Sequence, residues 1–314
     1  MVRIKAVKIR DERQLRALLG LPSKAFNKLL NVFSTIFENK KNERYEARKQ
    51  PKSRTRQPGG GAKGKLPTAQ HKLEFILYYY KTYPTFDELA AHFDLSRSNA
   101  HQNVHKLSPI LHEALSKMKM IPHRNFNSIE EFKTAVDDID RILIDATERA
   151  YRRAKDYDVQ REYYSGKKKR HTVKNTIIST EDKFIFFLGQ TFTGRSHDYK
   201  MLKLEFPPHI HWFEDISVLV DLGYLGINSD YESENIHVPH KKPRKSKNNP
   251  NPSLTDEQIE DNKTLSKVRI IVENAIAGIK RYNILVHSFR NRIKDFDDQV
   301  IAVSAGLWNL SLPA

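Results

Sequence analysis

Two short stretches constrain the fold most: RILIDATERAY at 141–151 and SVLVDLGYLG at 217–226. Each opens with an aliphatic run that lacks polar alternation, which reads as a strand buried on both faces. Each run then meets a carboxylate, Asp145 in the first and Asp221 in the second. A buried charge is costly unless it is paired or bound to a metal. Asp145 has no obvious cation in its own segment. Either each aspartate is simply where its strand surfaces, or something positive is brought to it.

The surrounding pattern supplies the sheet. Ile139 to Asp145 is the first strand. HTVKNTIIST and KFIFFLGQTF follow, and Glu181-Asp182 between them fits an antiparallel hairpin. GRSHDYKMLKLEF reads as a helix opened near Ser196, SVLVDLGYLG as a fourth strand and IHVPH as a short fifth. A long helical stretch begins at about 255, with Thr255 and Gln258 as its capping box. Three strands, a helix, two strands and a helix describe a mixed α/β sheet. In such sheets sites are built at strand ends. Two neighbouring carboxylates repel unless cations sit between them, and a third acid would complete an oxygen cage for Mg²⁺. On the long helix, with Arg269 at zero, Glu273 falls at about 40° and Lys280 at about 20°. Leu265, Val268, Val272, Ile276 and Ile279 cluster on the adjoining side. Glu273 is thus expected at the edge of the packing face, looking toward the two aspartates. An ordinary Arg269–Glu273 surface pair four residues apart is the plainer alternative.

Charge sets the partner class. The chain of 314 residues carries a formal net charge of +16, which suits a polyanion. It has no cysteine, so disulfides, thiolate zinc sites and cysteine nucleophiles are excluded. No apolar run approaches membrane-spanning length and the N-terminus lacks the apolar core of a signal peptide. These features predict an intracellular protein that does not enter a membrane.

The N-terminal half divides by composition. Residues 1–45 read as an N-terminal helical segment. Its apolar positions from Leu15 to Phe37 recur at helical spacing over 12–38, with Ser23 as a possible cap. This apolar face is large for so short a segment and is a candidate oligomer contact. Residues 46–66 read as a basic, Gly-rich linker, either a solvated tether or a DNA-tracking arm. Over 67–120, a helix with Leu73, Ile76, Leu77 and Tyr80 precedes TFDELAAHFDLSRSNAHQNVHKL. Thr85 and Glu88 make a capping box, Asp94-Leu95-Ser96 a tight turn, and Ser96 caps a helix that buries Ala100, Val104 and Leu107. Its other side presents Arg97, Ser98, Asn99, His101 and Gln102. That is how a helix-turn-helix displays base-reading side chains, although any two-helix corner shares part of the pattern.

These motifs together resemble the DDE transposases of bacterial insertion sequences, in particular a compact subgroup with a short helix-turn-helix, akin to Harbinger-type transposases. The resemblance rests on Asp145 in LIDATE, Asp221 in VDLGY and the Arg-x3-Glu-x6-Lys series Arg269, Glu273, Lys280. It is joined by YYSGKKKRHTVKN, GRSHD and HKKP, and it covers about 68–290. It implies an RNase H-like mixed-sheet catalytic domain, assigned to 135–314, preceded by the all-α helix-turn-helix region. Asp145, Asp221 and Glu273 would be both catalytic residues and metal ligands, holding two Mg²⁺ ions for which Mn²⁺ substitutes. Water would first free a 3′-hydroxyl, which would then attack target DNA. One departure is visible: the related signature has Tyr three residues before its Arg, and this chain has Ser266. Glu148, His197 and Asp198 are candidate helpers. The basic stretches 149–174, including Lys167, Lys168, Lys169 and Arg170, and 241–247, including Lys241 and Lys242, would neutralise phosphates together with Arg269 and Lys280. The partners implied are double-stranded transposon ends and target DNA, bound by a homodimer or higher oligomer. The location implied is the bacterial cytoplasm at the nucleoid, or the nucleus in a eukaryotic host. Two other readings use the same features: a domesticated DNA-binding protein without catalysis, and an RNase H-like endonuclease without strand transfer.

Overall fold

The computed structural model describes residues 9–49, 64–247 and 249–313. They form two compact units. The first gathers the described residues up to Ile121 with 280–287 and those from Ile293 onward. The second comprises 122–279 and 288–292.

In the first unit the helical stretch expected over 12–38 divides into two helices near Ser23. α1 (Glu12–Leu19) is capped by Asp11, whose side chain accepts from Gln14 N, and it ends at Gly20 with φ 82°. A Cβ at Gly20 would also lie 2.6 Å from the Tyr282 ring, so both backbone and packing demand glycine. After Pro22, α2 (Ser23–Lys49) begins. Ser23 is its first residue, and its backbone N–H donates to the Glu12 carboxylate at 3.2 Å. α2 runs through 46–49, which corrects the expected start of the linker. Residues 50–63 of that linker lie outside the described residues. Leu21, Phe26, Leu29, Phe33 and Ile36 are all buried, with α2 packed on α3 (Ala69–Thr82) and α5 (Arg97–Lys117). The apolar face expected to serve oligomerisation is therefore covered within its own unit, and 1–45 is not a separate segment.

Between α3 and α5 lies α4 (Phe86–Phe93), opened by the reciprocal Thr85–Glu88 capping box. Asp94 takes the left-handed conformation, φ 53°, that closes the turn, a conformation aspartate tolerates better than most residues. Ser96 then caps α5 by accepting from Asn99 N at 3.2 Å. Leu89, Ala90, Ala100, Val104 and Leu107 are buried beneath this corner. The helix-turn-helix is thus formed at the expected residues.

The second unit runs α6 (Ile129–Val136), β1 (Arg141–Ala150), α7 (Tyr157–Tyr163), β2 (Tyr164–Ser165), β3 (Arg170–Thr180), β4 (Ile185–Leu188), β5 (Phe192–Thr193), α8 (Asp198–Glu205), β6 (Ser217–Leu219), α9 (Ile227–Tyr231), β7 (Ile236–His237) and α10 (Asp256–Ile279). The sheet order is β2-β3-β1-β6-β7, with β4 and β5 also pairing with β3. β1 pairs antiparallel with β3 and parallel with β6. This is the mixed sheet with an antiparallel start and parallel additions that the sequence predicts. Ile142, Ile144, Ile178, Val218, Phe132, Phe187, Phe206 and Phe213 build one core, tied by edge-to-face ring contacts such as Phe187–Phe206 at 4.9 Å. α8 opens at His197, one residue after the expected Ser196.

The end of the chain departs from expectation. α10 stops at Ile279, and a separate α11 (Phe296–Ser311) follows. Residues 280–287 and 293–313 gather with the first compact unit, a different grouping from the single stretch 135–314 expected as the catalytic domain. The reason is visible in α11, where every residue from Val300 to Asn309 is buried. A helix apolar on all sides must be enclosed, and here it packs on α5. Leu307→Ala should therefore cost about 2–5 kcal/mol and weaken DNA binding by the helical unit. Urea unfolding measures this, and a loss well below that range would mean α11 is peripheral to its unit.

Candidate active site

The two aspartates meet because of strand register. The parallel ladder between β1 and β6 ends at Leu143 opposite Leu219. Two residues further along, β1 reaches Asp145 and the chain after β6 reaches Asp221. Asp145 is not strand-terminal as expected: β1 continues to Ala150, paired with β3 throughout. What stops is its parallel neighbour. Asp145 thus lies inside a long strand at the point where one edge opens, and its Oδ1 accepts from Ala146 N at 2.7 Å. Asp221 caps the 3-10 turn Leu222–Tyr224, accepting from Gly223 N at 2.7 Å, also through Oδ1.

This placement is electrostatically costly. Burial pushes the Asp145 carboxyl up to about 6; the charges of Asp221 and Asp198 push the same way, while Ala146 N–H and Arg269 oppose them. The shift is what a desolvated carboxylate beside a like charge should show.

The third acid is held elsewhere. α10 lies against β1 and β3 through Val272, Ala275, Gly278 and Ile279, so Arg269 and Glu273 fall at the edge of that face. Glu273 Oε1 accepts from both Arg269 Nε at 3.1 Å and Nη2 at 2.8 Å. The hydrogen bonds to Glu273 favour the charged guanidinium, and the charges of Asp221 and Asp145 add to them. Among the described residues no three acids or histidines are gathered closely enough to hold a metal as they stand. Lys280 follows the last turn of α10.

Side chains alternate along a strand, so Glu148 points away from the Asp145 side. Its Oε1 accepts from Thr172 Oγ1 at 2.6 Å. Asp198 is paired with Lys174 Nζ at 2.9 Å, and His197 precedes α8 without a capping bond from its side chain. Sequence reasoning missed Tyr224. Its ring is in the core and its hydroxyl makes no hydrogen bond to a described residue. Burial, then the charges of Asp145, Asp198, Asp221 and Glu205, hold that hydroxyl neutral. Its only signal in the sequence was its place three residues after Asp221.

Basic residues divide in two. Lys167, Lys168, Lys169 and Arg170 are exposed where the chain turns from β2 into β3, as are Lys241 and Lys242 after β7. Arg149 and Lys174, counted in the same basic run, turn inward instead: Arg149 donates to Asn175 Oδ1 at 2.9 Å and Lys174 serves Asp198. In the helical unit Arg97, Ser98, Asn99, His101 and Gln102 are all exposed at the start of α5. Arg97 lies 3.6 Å from Asp87, and His101 packs edge-on against Phe86.

Comparison with known proteins matches this layout. The family described as the helix-turn-helix of DDE superfamily endonuclease matches residues 64–117, and DDE superfamily endonuclease matches 144–309, more than half of the chain. The chain is 26% identical over 312 residues to the probable transposase for insertion sequence element IS702 of Microchaete diplosiphon, covering 99% of each. No solved structure matches significantly. No helix among the described residues is long and apolar enough to cross a membrane.

The raised carboxyl of Asp145 carries a sign that can be tested. Its ionisation costs the folded state, so stability present near pH 4 is lost as pH rises through about 6. In EDTA, Asp145→Asn should leave stability near pH 4 almost unchanged and raise it by about 1–3 kcal/mol near pH 7.5. Urea unfolding at both pH values checks this, and an equal effect at each would refute the electrostatic account.

Proposed function

The chain belongs to the DDE superfamily endonucleases and is a DNA-binding transposase, and from that premise we propose that Asp145, Asp221 and Glu273 form a divalent-metal catalytic centre that cuts element ends and joins them to target DNA. The observation that carries this reading is the register of β1 and β6, which sets two carboxylates side by side at the opening of the sheet. Each fixes its Oδ1 on a backbone N–H, so neither rotates freely, and Oδ2 of each is left for another partner. Hard carboxylate oxygens of this kind suit Mg²⁺, with Mn²⁺ as a substitute. When bound, two such ions would supply charge neutralisation and Lewis acidity at the scissile phosphate.

The remaining residues position DNA. Lys167, Lys168, Lys169, Arg170, Lys241 and Lys242 neutralise backbone phosphates, and their exposure supports that role. Arg97, Ser98, Asn99, His101 and Gln102 read base edges of the terminal sequence in the major groove. Strand cleavage by water breaks the bond from phosphorus to the 3′-oxygen and leaves a 3′-hydroxyl, which then attacks a target phosphate in line at the same acids and displaces the target strand's own 3′-oxygen. Joining both ends of an element requires two active sites, so the working form is a homo-oligomer on DNA. Its place is with the chromosome of the host, at the nucleoid in a bacterium.

Two measurements test the reading. Asp145→Asn, Asp221→Asn and Glu273→Gln should each abolish most Mg²⁺-dependent nicking of a duplex carrying the element end, while binding in EDTA holds or rises. Full nicking by Asp145→Asn would overturn the assignment. Separately, Asn99→Ala and Gln102→Ala should each reduce discrimination between end and random DNA by about 1–3 kcal/mol. An equal loss on both DNAs would mean that these side chains touch only backbone.

A further inference from the structure

We propose that Arg269 is the resident counter-cation of the metal-free acidic site, and that it leaves Glu273 for a DNA phosphate as the site loads, coupling DNA engagement to metal loading. The inference rests on the reading that Asp145, Asp221 and Glu273 bind divalent cations. It starts from the geometry of one side chain. Arg269 donates twice to a single oxygen of Glu273, and its charge acts on both Asp221 and Asp145. It therefore serves all three acids at once. Lys174, opposite Glu148 in the sheet, is paired with Asp198.

The pair is also easily parted. The side chains of Arg269 and Glu273 are 44% and 50% exposed, and ion pairs so open to water are weak. The guanidinium fork fits a phosphate with two parallel hydrogen bonds, whereas on Glu273 it uses one oxygen. While Arg269 stays, Glu273 is kept from the aspartates and a positive charge repels incoming cations. Once a DNA phosphate takes Arg269, Glu273 is released and the three acids carry an uncompensated negative charge. Such coupling is reciprocal, so DNA tightens metal binding by the same factor by which metal tightens DNA binding.

The test uses full-length protein and Mg²⁺ followed by calorimetry, with and without a pre-cut duplex carrying the element end. In the unchanged protein, DNA should tighten Mg²⁺ binding, within the roughly 5- to 150-fold range usual for such coupling. Arg269→Gln should bind Mg²⁺ more tightly without DNA, on the order of tenfold, and should gain less from DNA. In EDTA, Glu273→Gln should bind DNA more tightly than the unchanged protein, and the Arg269→Gln/Glu273→Gln double variant should not. Arg269→Gln binding Mg²⁺ no more tightly than the unchanged protein overturns the exchange. An Mg²⁺ signal that Asp145→Asn fails to reduce overturns the metal-site reading itself and the exchange with it. Mg²⁺ binding that depends on Asp145 but ignores Arg269 leaves the site standing and removes only the exchange.

Discussion

The parallel pairing of β1 with β6 ends at Leu143 opposite Leu219, and the rest of the catalytic unit depends on that stop. If the ladder ran two residues further, Asp145 and Asp221 would be zipped into a closed sheet and face only each other. Because it stops, the edge of β1 opens while β3 still holds its other side. The backbone is therefore paired on one side where the acids are and open on the other. The cost is a pair of like charges in a poorly hydrated place. It is offset in the free protein by the guanidinium on α10 rather than by rearranging the strands.

This arrangement explains why the site was partly legible. Asp145 and Asp221 stand out because aliphatic runs and carboxylates rarely adjoin without a reason, and that contrast survives in the bare sequence. The caps at Thr85, Ser96 and Thr255 were legible too, since each depends on residues within three positions of one another. Glu273 was placed on the correct helix edge by periodicity alone. Its attachment to Arg269 was the plainer of the two alternatives, and both now describe the same residue: a surface pair in the free protein and a proposed ligand in the loaded one.

What could not be read depends on contacts distant in the chain. The end of β6 was hidden because strand propensity continues through Val220, while pairing depends on a neighbour seventy-odd residues away. The covering of the α2 face by α3 and α5 is likewise invisible in the sequence, where an apolar stripe with no partner in its own segment looks like a subunit contact. Nothing in the composition of α11 announces that it belongs to a different unit from α10. Arg149 and Lys174 looked like members of a solvated basic run. Strand alternation sends them inward, and only the register shows which way the alternation falls.

The discontinuity of the helical unit has a consequence for synthesis. Its DNA-reading corner is made early, but α11, which encloses its core, is the last helix described. A nascent chain therefore emerges with the whole catalytic sheet before the reader is enclosed. Domains ordinarily fold in the order in which they leave the ribosome; here the first unit must wait for the second to be translated. A prematurely terminated chain would carry a helix-turn-helix on an open core, a target for proteolysis rather than a stable occupant of the element's ends. The fold thus tends to keep truncated products from competing with the complete protein for its own DNA.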